Sequence, residues 1–435
     1  MMMRRLIHLF ILSLIGMLAL ACAPTPVPTV QPTPAQGGKV ILKVGTGDSG
    51  QGLQPHRLII DQFQQANPDI QVQIESVEAT DYYGQLLDEI QKGTAPDLMQ
   101  IGDDAVPMFV QKGALVNLGP YIQGTQPLDQ NIYLPGVLQP GQWNGAQYLL
   151  PKDFSPLAIY YNKKLFDQYQ VPYPKDGWTW QDFLKTAQAF TAAPQSGGVP
   201  QVWGVQLPGT WTGGFEYWVA AAGGSLISED GKKFQGYMDS AASAEALRFY
   251  IDLYKNNVAP PMADIKLFQG GNTEFARGKA AMWLSGHWPE ADLRKNASVD
   301  LGVVGMPVGK KRANVLFWSG FGINSQSKNK DAAWRFLRFY VGIEGAKVWK
   351  DWGLPTVRSV AESSGLTKDP IEGVWLNELN YLVPRGYIFT SVWGDTADTA
   401  LQQALEQGIT NPGSDAAALM KTAAQHAQQA LDAKK

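Results

Sequence analysis

Residues 39–47, KVILKVGTG, alternate apolar and polar side chains, as a half-buried β-strand does. Residues 69–77, DIQVQIESV, alternate in the same way, and PHRLIIDQFQQANP (55–68) between them predicts a helix that ends at Asn67-Pro68. The order continues with a helix in DYYGQLLDEIQKG (81–93), a strand in DLMQIG (97–102) and a helix in AVPMFVQKG (105–113). This β-α-β-α-β-α order predicts an α/β lobe with a largely parallel sheet.

Helices and strands continue to alternate beyond Trp143. Strands are predicted in QYLLP, LAIYYN, VWGVQL, GKAAMWLSG and LGVVGMP, and helices in GWTWQDFLKTAQAFTA, DSAASAEALRFYIDLYKNN, NKDAAWRFLRFYVG and twice after Asp395. The chain has 435 residues. This length exceeds one ordinary hydrophobic core, so two domains are expected.

The N-terminus predicts export and a lipid anchor. Arg4 and Arg5 precede an apolar run that is short for a membrane-spanning helix, which indicates a signal peptide over residues 1–21. The run ends in LALAC, which resembles the lipobox of bacterial lipoproteins and implies lipidation of Cys22, the only cysteine. A buried filler or a reactive thiol is the alternative reading of this cysteine. The Pro-rich residues 22–38 predict an extended tether.

The charge balance argues against nucleic-acid binding. Without Arg4 and Arg5, 34 Lys and Arg face 39 Asp and Glu, so the mature chain has a formal net charge of −5 (36 − 2 − 39). The mature sequence has no basic run longer than the three residues Lys310–Arg312. No further cysteine offers a disulfide or a thiolate metal site, the histidines lack metal-ligand spacing, and no cofactor is predicted.

The loop GTGDSG (45–50) matches two enzyme motifs. It satisfies the G-x-G-x-x-G dinucleotide pattern, and GDSG with nearby His56 resembles a serine-protease loop. The simpler reading is a glycine-rich turn that exposes Asp48 at the edge of the sheet. A glycoside hydrolase stays open as well, because Asp48, Asp104, Asp153 and Glu216 could supply its two carboxylates.

Several stretches resemble one family. They are APDLMQIGDDAVPMFVQKGALVNLGPYI, YLLPKDFSPLAIYYNKKLF, GWTWQDF, FARGKAAMWLSGHW and GFGINSQSKNKDAAWRFLRFY. Together they are similar to the family 1 extracellular solute-binding proteins of ABC importers, which include the maltose-binding protein. The resemblance runs from about Lys39 to the C-terminus, and the F-x-x-G-x-A-A-M run at Phe275–Met282 is its most specific part.

The resemblance implies two α/β lobes, each a mixed, mainly parallel sheet flanked by helices, joined by a hinge of crossing strands. The crossings are expected near 151–154, 304–308 and 348–355. The implied limits are 39–152 with 308–349 for the first lobe, and 153–305 with 350–435 for the second.

The resemblance also implies a function without chemistry. A membrane-anchored, monomeric, extracytoplasmic receptor would close on a mono- or oligosaccharide and deliver it to an ABC permease. Two alternatives stay open. One is a receptor for a glycerophosphodiester or polyol, and the other is a lipid-anchored glycoside hydrolase.

Sugars offer polar edges and apolar faces, so acids, arginine and aromatic rings are the expected contacts. The resemblance places these at Asp48, Asp104, Asp153, Phe154, Trp211, Trp218, Trp288, Trp318, Arg385 and Trp393. Trp211 and Trp218 belong to TWTGGFEYWVAAAGG (210–224), where Gly213-Gly214 is expected to delay the start of a helix.

Overall fold

The computed structural model describes residues 39–77, 79–191, 202–262, 273–386, 390 and 392–434, apart from the side chains of residues 79–81 and 395. All elements below lie in the compact unit Val40–Lys435. The predicted signal peptide, the lipidation of Cys22 and the tether lie outside the described residues. Within the described ranges, no helix combines the length and the apolar character that a membrane crossing requires.

The first lobe is built on a five-stranded sheet with the strand order β2-β1-β3-β11-β6. Its strands are β1 (Val40–Thr46), β2 (Ile70–Ser76), β3 (Leu98–Gly102), β6 (Leu149–Pro156) and β11 (Leu316–Ile323). β1 runs parallel to β2 and β3, whereas β11 is antiparallel to both β3 and β6. The alternation that predicted β1 and β2 buries Leu42, Val44, Ile70 and Val72 on the core side.

Six helices of at least six residues flank this sheet. They are α1 (Leu53–Ala66), α2 (Ala79–Lys92), α3 (Val106–Gln111), α10 (Lys330–Val341), α11 (Ile343–Trp349) and α12 (Arg358–Ser363). A short helix, α4 (Gly119–Ile122), and a two-stranded ribbon, β4 (Gln142–Trp143) with β5 (Ala146–Gln147), complete this part. A short 3-10 helix (Gly50–Gly52) begins only at the last glycine of the G-x-G-x-x-G motif, and α1 starts after it at Leu53, which does not favour the dinucleotide interpretation.

The second lobe is built on a four-stranded mixed sheet with the order β10-β7-β9-β8. Its strands are β7 (Ala158–Asn162), β8 (Trp203–Gln206), β9 (Ala280–Ser285) and β10 (Leu301–Val304). β8 and β9 are parallel, and the other two pairs are antiparallel. The helices are α5 (Lys163–Gln168), α6 (Trp180–Thr191), α7 (Thr212–Ala221), α8 (Ala241–Lys255), α9 (Glu290–Leu293), α13 (Glu372–Glu378), α14 (Asp398–Thr410) and α15 (Ala416–Asp432).

Helix α7 begins earlier than predicted. Trp211 is its N-cap residue, and Gly213 and Gly214 lie inside its first turn rather than delaying it. Side chains would not fit there, because a Cβ on Gly213 would lie 2.7 Å from the Phe317 ring and a Cβ on Gly214 would lie 2.5 Å from Pro208. The glycines therefore permit close packing of the helix start, and every residue of the helix is buried.

Asn314 ties together three segments of chain where the lobes join. Its side chain accepts a hydrogen bond from the Leu157 N–H (3.0 Å) and donates one to the Leu157 carbonyl (2.8 Å), between β6 and β7. Its main chain bonds Tyr381 and Val383, and its Nδ2 also donates to Glu378. The side chain is fully buried. This residue is therefore a fixed point at the junction of the two sheets.

The chain passes from the first sheet to the second at Leu157, and it returns to the first sheet between Val304 and Leu316. Both passages lie close to the predicted first and second crossings. Near the third predicted crossing, the Leu134 N–H donates to the Thr356 carbonyl. The predicted lobe limits themselves stay a prediction.

Candidate functional site

A cavity of about 340 Å³ opens between the lobes, a size at the low end for ligand pockets. The first lobe contributes most of its walls: Asp48, Gln51, Gly52, Pro55, Lys152, Asp153, Phe154, Ser155, Phe317, Trp318, Ser319, Trp349, Trp352, Gly353 and Leu354. The second lobe closes it with His287, Trp288, Ala291, Asp292 and Lys295. The cavity thus combines a few convergent polar groups with many aromatic rings.

The polar side of the cavity is organised by Lys152, a buried lysine on β6. Its Nζ lies 2.7 Å from Asp48 Oδ2 and 3.0 Å from Asp153 Oδ2, so one ammonium group holds two carboxylates together. It also lies 4.9 Å from the centre of the Trp349 ring. Burial by itself would lower the pKa of Lys152, but the charges of Asp153 and Asp48 outweigh it and raise that pKa. Lys152 is therefore a cation at neutral pH.

Asp48 is kept ionised by two donors. Burial opposes its charge, but Lys152 and the hydrogen bond from His56 outweigh that effect and hold its pKa well below the ordinary value. His56 Nε2 lies 2.7 Å from Asp48 Oδ2, and its Nδ1 lies 2.9 Å from the Tyr340 hydroxyl. Because burial lowers the pKa of His56, the ring is neutral, donates from Nε2 to the carboxylate and accepts from Tyr340 at Nδ1. Both ring nitrogens are thus engaged, which leaves none for a serine nucleophile.

The aromatic side of the cavity is dominated by Trp288. This side chain is 53% exposed, the most exposed large apolar residue of the described chain. Phe317 stands perpendicular to it, with ring centres 5.9 Å apart, and Trp211 contacts both rings at 5.8 Å and 4.8 Å. Trp318 is fixed differently, since its Nε1 donates to the Val137 carbonyl at 2.7 Å. The face of Trp288 is therefore open to a flat apolar partner.

The structure brings part of the predicted site together. Asp48, Asp153, Phe154, Trp288 and Trp318 line the cavity, and Trp211 stands directly behind Trp288 and Phe317.

The other predicted contacts lie elsewhere. Trp218 is fully buried between Trp180 and Tyr217 in the second lobe, and Trp393 packs parallel to Phe234 in the same core. Spacing alone could not show that α7 is buried on every side. Asp104 is exposed and is not a lining residue.

Arg385 does not present its donors to the cavity. Nη1 donates to Asp103 Oδ2 at 2.7 Å and to the Leu316 carbonyl, and Nε and Nη2 approach Glu216 Oε2 at 2.9 Å and 2.8 Å. Its guanidinium carbon lies 4.7 Å above the Phe317 ring. Glu216 is thereby also removed from the carboxylates that a hydrolase reading would need.

Four further residues that line or support the cavity were not among the predicted contacts: Lys152, His56, Phe317 and Trp349. Lys152 directly precedes the predicted Asp153, and a lysine beside a cleft carboxylate could have signalled an ion pair. His56 lies eight residues after Asp48, at the start of α1, but its pairing also depends on Tyr340, which is 284 residues away. No local pattern reveals such a contact.

A second charged cluster borders the cavity at His287. Its Nε2 lies 2.8 Å from Glu372 Oε2 and 3.4 Å from Glu290 Oε2, and ligand atoms of the three residues lie within 4.8 Å of one another. This is a set of atoms that could hold a metal ion. Arg294, however, approaches Glu290 at 2.7 Å and Glu372 at 3.0 Å. A guanidinium group already supplies the positive charge that the carboxylates require, which favours an ion-pair network over a metal site.

Several known proteins are similar to this chain. The maltotriose-binding protein of Pyrococcus abyssi is 23% identical over 373 residues, which are 83% of this chain and 75% of that protein. An ABC substrate-binding protein of Listeria monocytogenes, solved with cycloalternan, matches 91% of this chain and 99% of its own with 24% identity and a TM-score of 0.79. UgpB of Mycobacterium tuberculosis, solved with glycerophosphocholine, matches 91% of this chain and 100% of its own with 21% identity and a TM-score of 0.77.

The structural matches confirm the predicted two-lobed fold. A family model described as "Bacterial extracellular solute-binding protein" matches residues 48–347, well over half of the chain. The family predicted from the sequence motifs is thereby confirmed: the chain belongs to the bacterial extracellular solute-binding proteins.

Proposed function

We propose that this protein is an extracytoplasmic receptor that binds a neutral carbohydrate between its two lobes and delivers it to an ABC import permease. The observation that carries the proposal is the cavity between the lobes, in which ionised Asp48 and Lys152 adjoin the exposed face of Trp288. Carboxylates accept hydrogen bonds from sugar hydroxyls, and an aromatic ring covers the apolar face of a sugar. The maltotriose-binding relative supports the same ligand class.

The charges in the cavity favour a neutral ligand over a phosphate. Three carboxylates, Asp48, Asp153 and Asp292, face the ammonium groups of Lys152 and Lys295. Lys152 is already shared by two carboxylates. A phosphate would therefore meet net negative charge, whereas a sugar hydroxyl finds acceptors. The glycerophosphodiester alternative is kept because UgpB has a similar fold, and it is the weaker candidate on these contacts.

The cavity also favours binding over hydrolysis. A glycoside hydrolase needs a carboxylic acid with a raised pKa as the proton donor. The pKa of Asp48 is held below its ordinary value, and Asp153 is bonded to both Lys152 and Ser319. We therefore propose that the ligand leaves the cavity chemically unchanged.

We also propose that the receptor acts as a monomer and that a lipid on Cys22 tethers it to the membrane.

A thermal-shift screen tests the ligand class. Neutral mono- and disaccharides, larger oligosaccharides, polyols and glycerophosphocholine are compared at equal concentration. A ligand at 100 times its Kd stabilises the folded state by about 2.7 kcal/mol. We expect a neutral sugar to give the largest shift. A shift with glycerophosphocholine alone would support the alternative, and chromatography of the bound sugar after long incubation would reveal hydrolysis.

The anchor is tested separately. Detergent-phase partitioning of the wild type and of Cys22→Ala, expressed in a bacterium with lipoprotein processing, should place only the wild type in the detergent phase. Equal partitioning of both proteins would remove the anchor from the proposal.

A further inference from the structure

Behind the two cavity carboxylates, a closed circuit of hydrogen bonds crosses the first sheet. It visits β1, β3, β11 and β6, which are neighbours in that order in the sheet. Its members, in order around the circuit, are Asp48, Thr46, Gln100, Ser319, Asp153 and Lys152. We call these six residues the polar circuit.

From the Asp48 main chain to the Asp153 carboxylate, the donors and acceptors of the polar circuit point in one direction. The Asp48 N–H donates to Thr46 Oγ1 at 3.0 Å, and the Thr46 hydroxyl donates to Gln100 Oε1. Gln100 Nε2 donates to Ser319 Oγ at 3.3 Å, and the Ser319 hydroxyl donates to Asp153 Oδ1 at 2.6 Å. Each hydroxyl thus accepts one hydrogen bond and donates one. Such chains polarise one another and become stronger as a unit.

Lys152 closes the polar circuit. Its Nζ donates to Asp153 Oδ2 and to Asp48 Oδ2. The Asp153 carboxylate is therefore fixed from two sides, by Ser319 and Lys152. Asp48 is held through its main-chain N–H by Thr46 and through its carboxylate by Lys152. The circuit is shielded from water on one side, since Thr46 is fully buried, Lys152 is 4% exposed and Gln100 is 9% exposed. Asp48 and Asp153 remain partly accessible from the cavity, with side chains 27% and 33% exposed.

The backbone is adapted to this arrangement at Ser319. The register of β11 against β6 shifts between Ser319 and Gly320, and Ser319 faces Asp153 across the strands. Irregularities of this kind re-aim a side chain beside a site. A Cβ on Gly320 would lie 2.3 Å from the Trp318 ring and 2.5 Å from the Leu150 carbonyl, so the shift requires glycine there.

We propose that Thr46, Gln100 and Ser319, which do not belong to the predicted ligand contacts, are positioning residues that hold Asp48 and Asp153 as one rigid acceptor pair for the sugar hydroxyls. This inference rests on the proposed function. It assigns ligand affinity to a fully buried hydroxyl that does not line the cavity, Thr46, as much as to the carboxylates themselves. Because a preorganised pair loses less freedom on binding, breaking the circuit anywhere weakens binding.

The test is a double-mutant cycle on the whole protein. Thr46→Val and Ser319→Ala each remove one hydroxyl with little change in shape, and they lie on opposite sides of Gln100. Each should raise the Kd for the sugar found in the thermal-shift screen by ~10-fold, the size expected for a hydrogen bond within a charged network. The double variant should bind little worse than either single variant, since the circuit is already open. Ser319→Thr should restore affinity, and Thr410→Val on the surface of α14 should leave it unchanged.

A second readout needs no ligand. In the free protein, the Asp48 carboxyl is titrated by carbon NMR in the wild type and the same variants. The Asp48 carboxylate is contacted by His56, which lies outside the circuit, and by Lys152. An intact circuit keeps Lys152 between the two carboxylates, so Thr46→Val and Ser319→Ala should both move the Asp48 titration upward, toward ordinary aspartate, while the His56 contact is kept. The proposal would be overturned if the Asp48 titration stayed unchanged in both single variants and the double variant lost affinity by the product of the two single losses, as independent sites would. If no sugar binds, the proposed function fails, and the Asp48 titration alone then decides whether the polar circuit exists: an unmoved titration overturns it.

Discussion

Asp103 and Glu216, which stand on different lobes, are joined by the guanidinium group of Arg385. Asp103 follows β3 in the first lobe, and Glu216 lies on α7 in the second. Arg385 Nη1 is 2.7 Å from Asp103 Oδ2, and Nη2 is 2.8 Å from Glu216 Oε2. All three side chains are less than 10% exposed, with values of 8% for Arg385 and 9% for each carboxylate. The arginine that was expected to bind ligand therefore links the lobes.

Removing the guanidinium should destabilise the protein strongly. Arg385→Met keeps the shape of the side chain and leaves Asp103 and Glu216 buried without a counter-charge. We expect a loss of about 3–5 kcal/mol in the free energy of unfolding, as for other broken buried pairs. Urea unfolding measures it. Arg57→Met on the exposed side of α1 is the matched control and should change stability by less than about 0.5 kcal/mol. An Arg385→Met protein as stable as this control would contradict a stabilising link.

The burial of Asp103 at this link predicts a pH dependence of stability. Burial raises the pKa of Asp103 to about 7, with Arg385 opposing the rise and Asp104 and Glu216 adding to it. This pKa is higher in the folded than in the unfolded state. The contribution of Asp103 to the free energy of unfolding is therefore complete below pH ~4 and is lost as the pH rises toward 7. Asp103→Asn does not titrate. We therefore expect the stability of the wild type to fall relative to that of Asp103→Asn as the pH rises from about 4.5 to about 7.5, which spans roughly that window. A constant difference between the two proteins in urea unfolding would refute the prediction.

The contrast between local and distant contacts explains what the sequence could reveal. Period-two alternation predicted β1 and β2 because their side chains meet the core on one face only. Acids after parallel strands were expected at the cleft for a similar geometric reason, and Asp48 is found there. Both inferences use a few neighbouring residues. The two strands are confirmed, and Asp48 lines the cavity, whereas Asp104, which follows the parallel strand β3, does not.

Roles that depend on distant partners were not predictable. Arg385 was expected to bind ligand from the family resemblance, but its partner Glu216 is 169 residues away. The tryptophans show the same limit. Trp218 and Trp288 are both aromatic residues near glycines in the sequence, yet one is fully buried and the other is 53% exposed. Burial is a property of the whole packing and cannot be read from a local motif.

Gly213 offers a test of the packing at the start of α7. Replacing glycine by alanine within a helix normally stabilises it by about 1 kcal/mol. At Gly213, a Cβ would lie 2.7 Å from the Phe317 ring and 3.0 Å from the Trp211 ring. We expect Gly213→Ala to destabilise the protein and to weaken sugar binding, because both rings support Trp288. Differential scanning calorimetry and ligand titration measure the two effects.

Gly84 is the matched control for this change. It lies on the exposed side of α2, and a Cβ there would meet no other atom within 4 Å. Gly84→Ala should therefore gain about 0.5–1 kcal/mol and leave sugar affinity unchanged. If the two alanine variants gave effects of the same sign, the close contact at Gly213 would not govern the packing.

Trp288 and Trp218 should separate ligand binding from stability. Trp288→Ala removes a half-exposed ring that contacts Trp211 and Phe317, so the free energy of unfolding should fall by only about 1 kcal/mol. As a central aromatic contact of the ligand, however, it should reduce affinity by about 2 kcal/mol, or roughly 30-fold in Kd. Trp218→Ala should do the opposite, because a fully buried Trp replaced by alanine loses about 3–5 kcal/mol of stability. Isothermal titration measures the affinity, and urea unfolding measures the stability.

Tyr173→Ala completes this comparison, because Tyr173 is 40% exposed and does not line the cavity between the lobes. It should change the affinity for sugar by less than twofold if stacking on Trp288 is specific. An equal loss of affinity in Trp288→Ala and Tyr173→Ala would mean that a general disturbance of the surface weakens binding. Unchanged affinity in Trp288→Ala would show instead that the sugar does not stack on this ring, and the carboxylate pair of Asp48 and Asp153 would then have to supply the specificity alone.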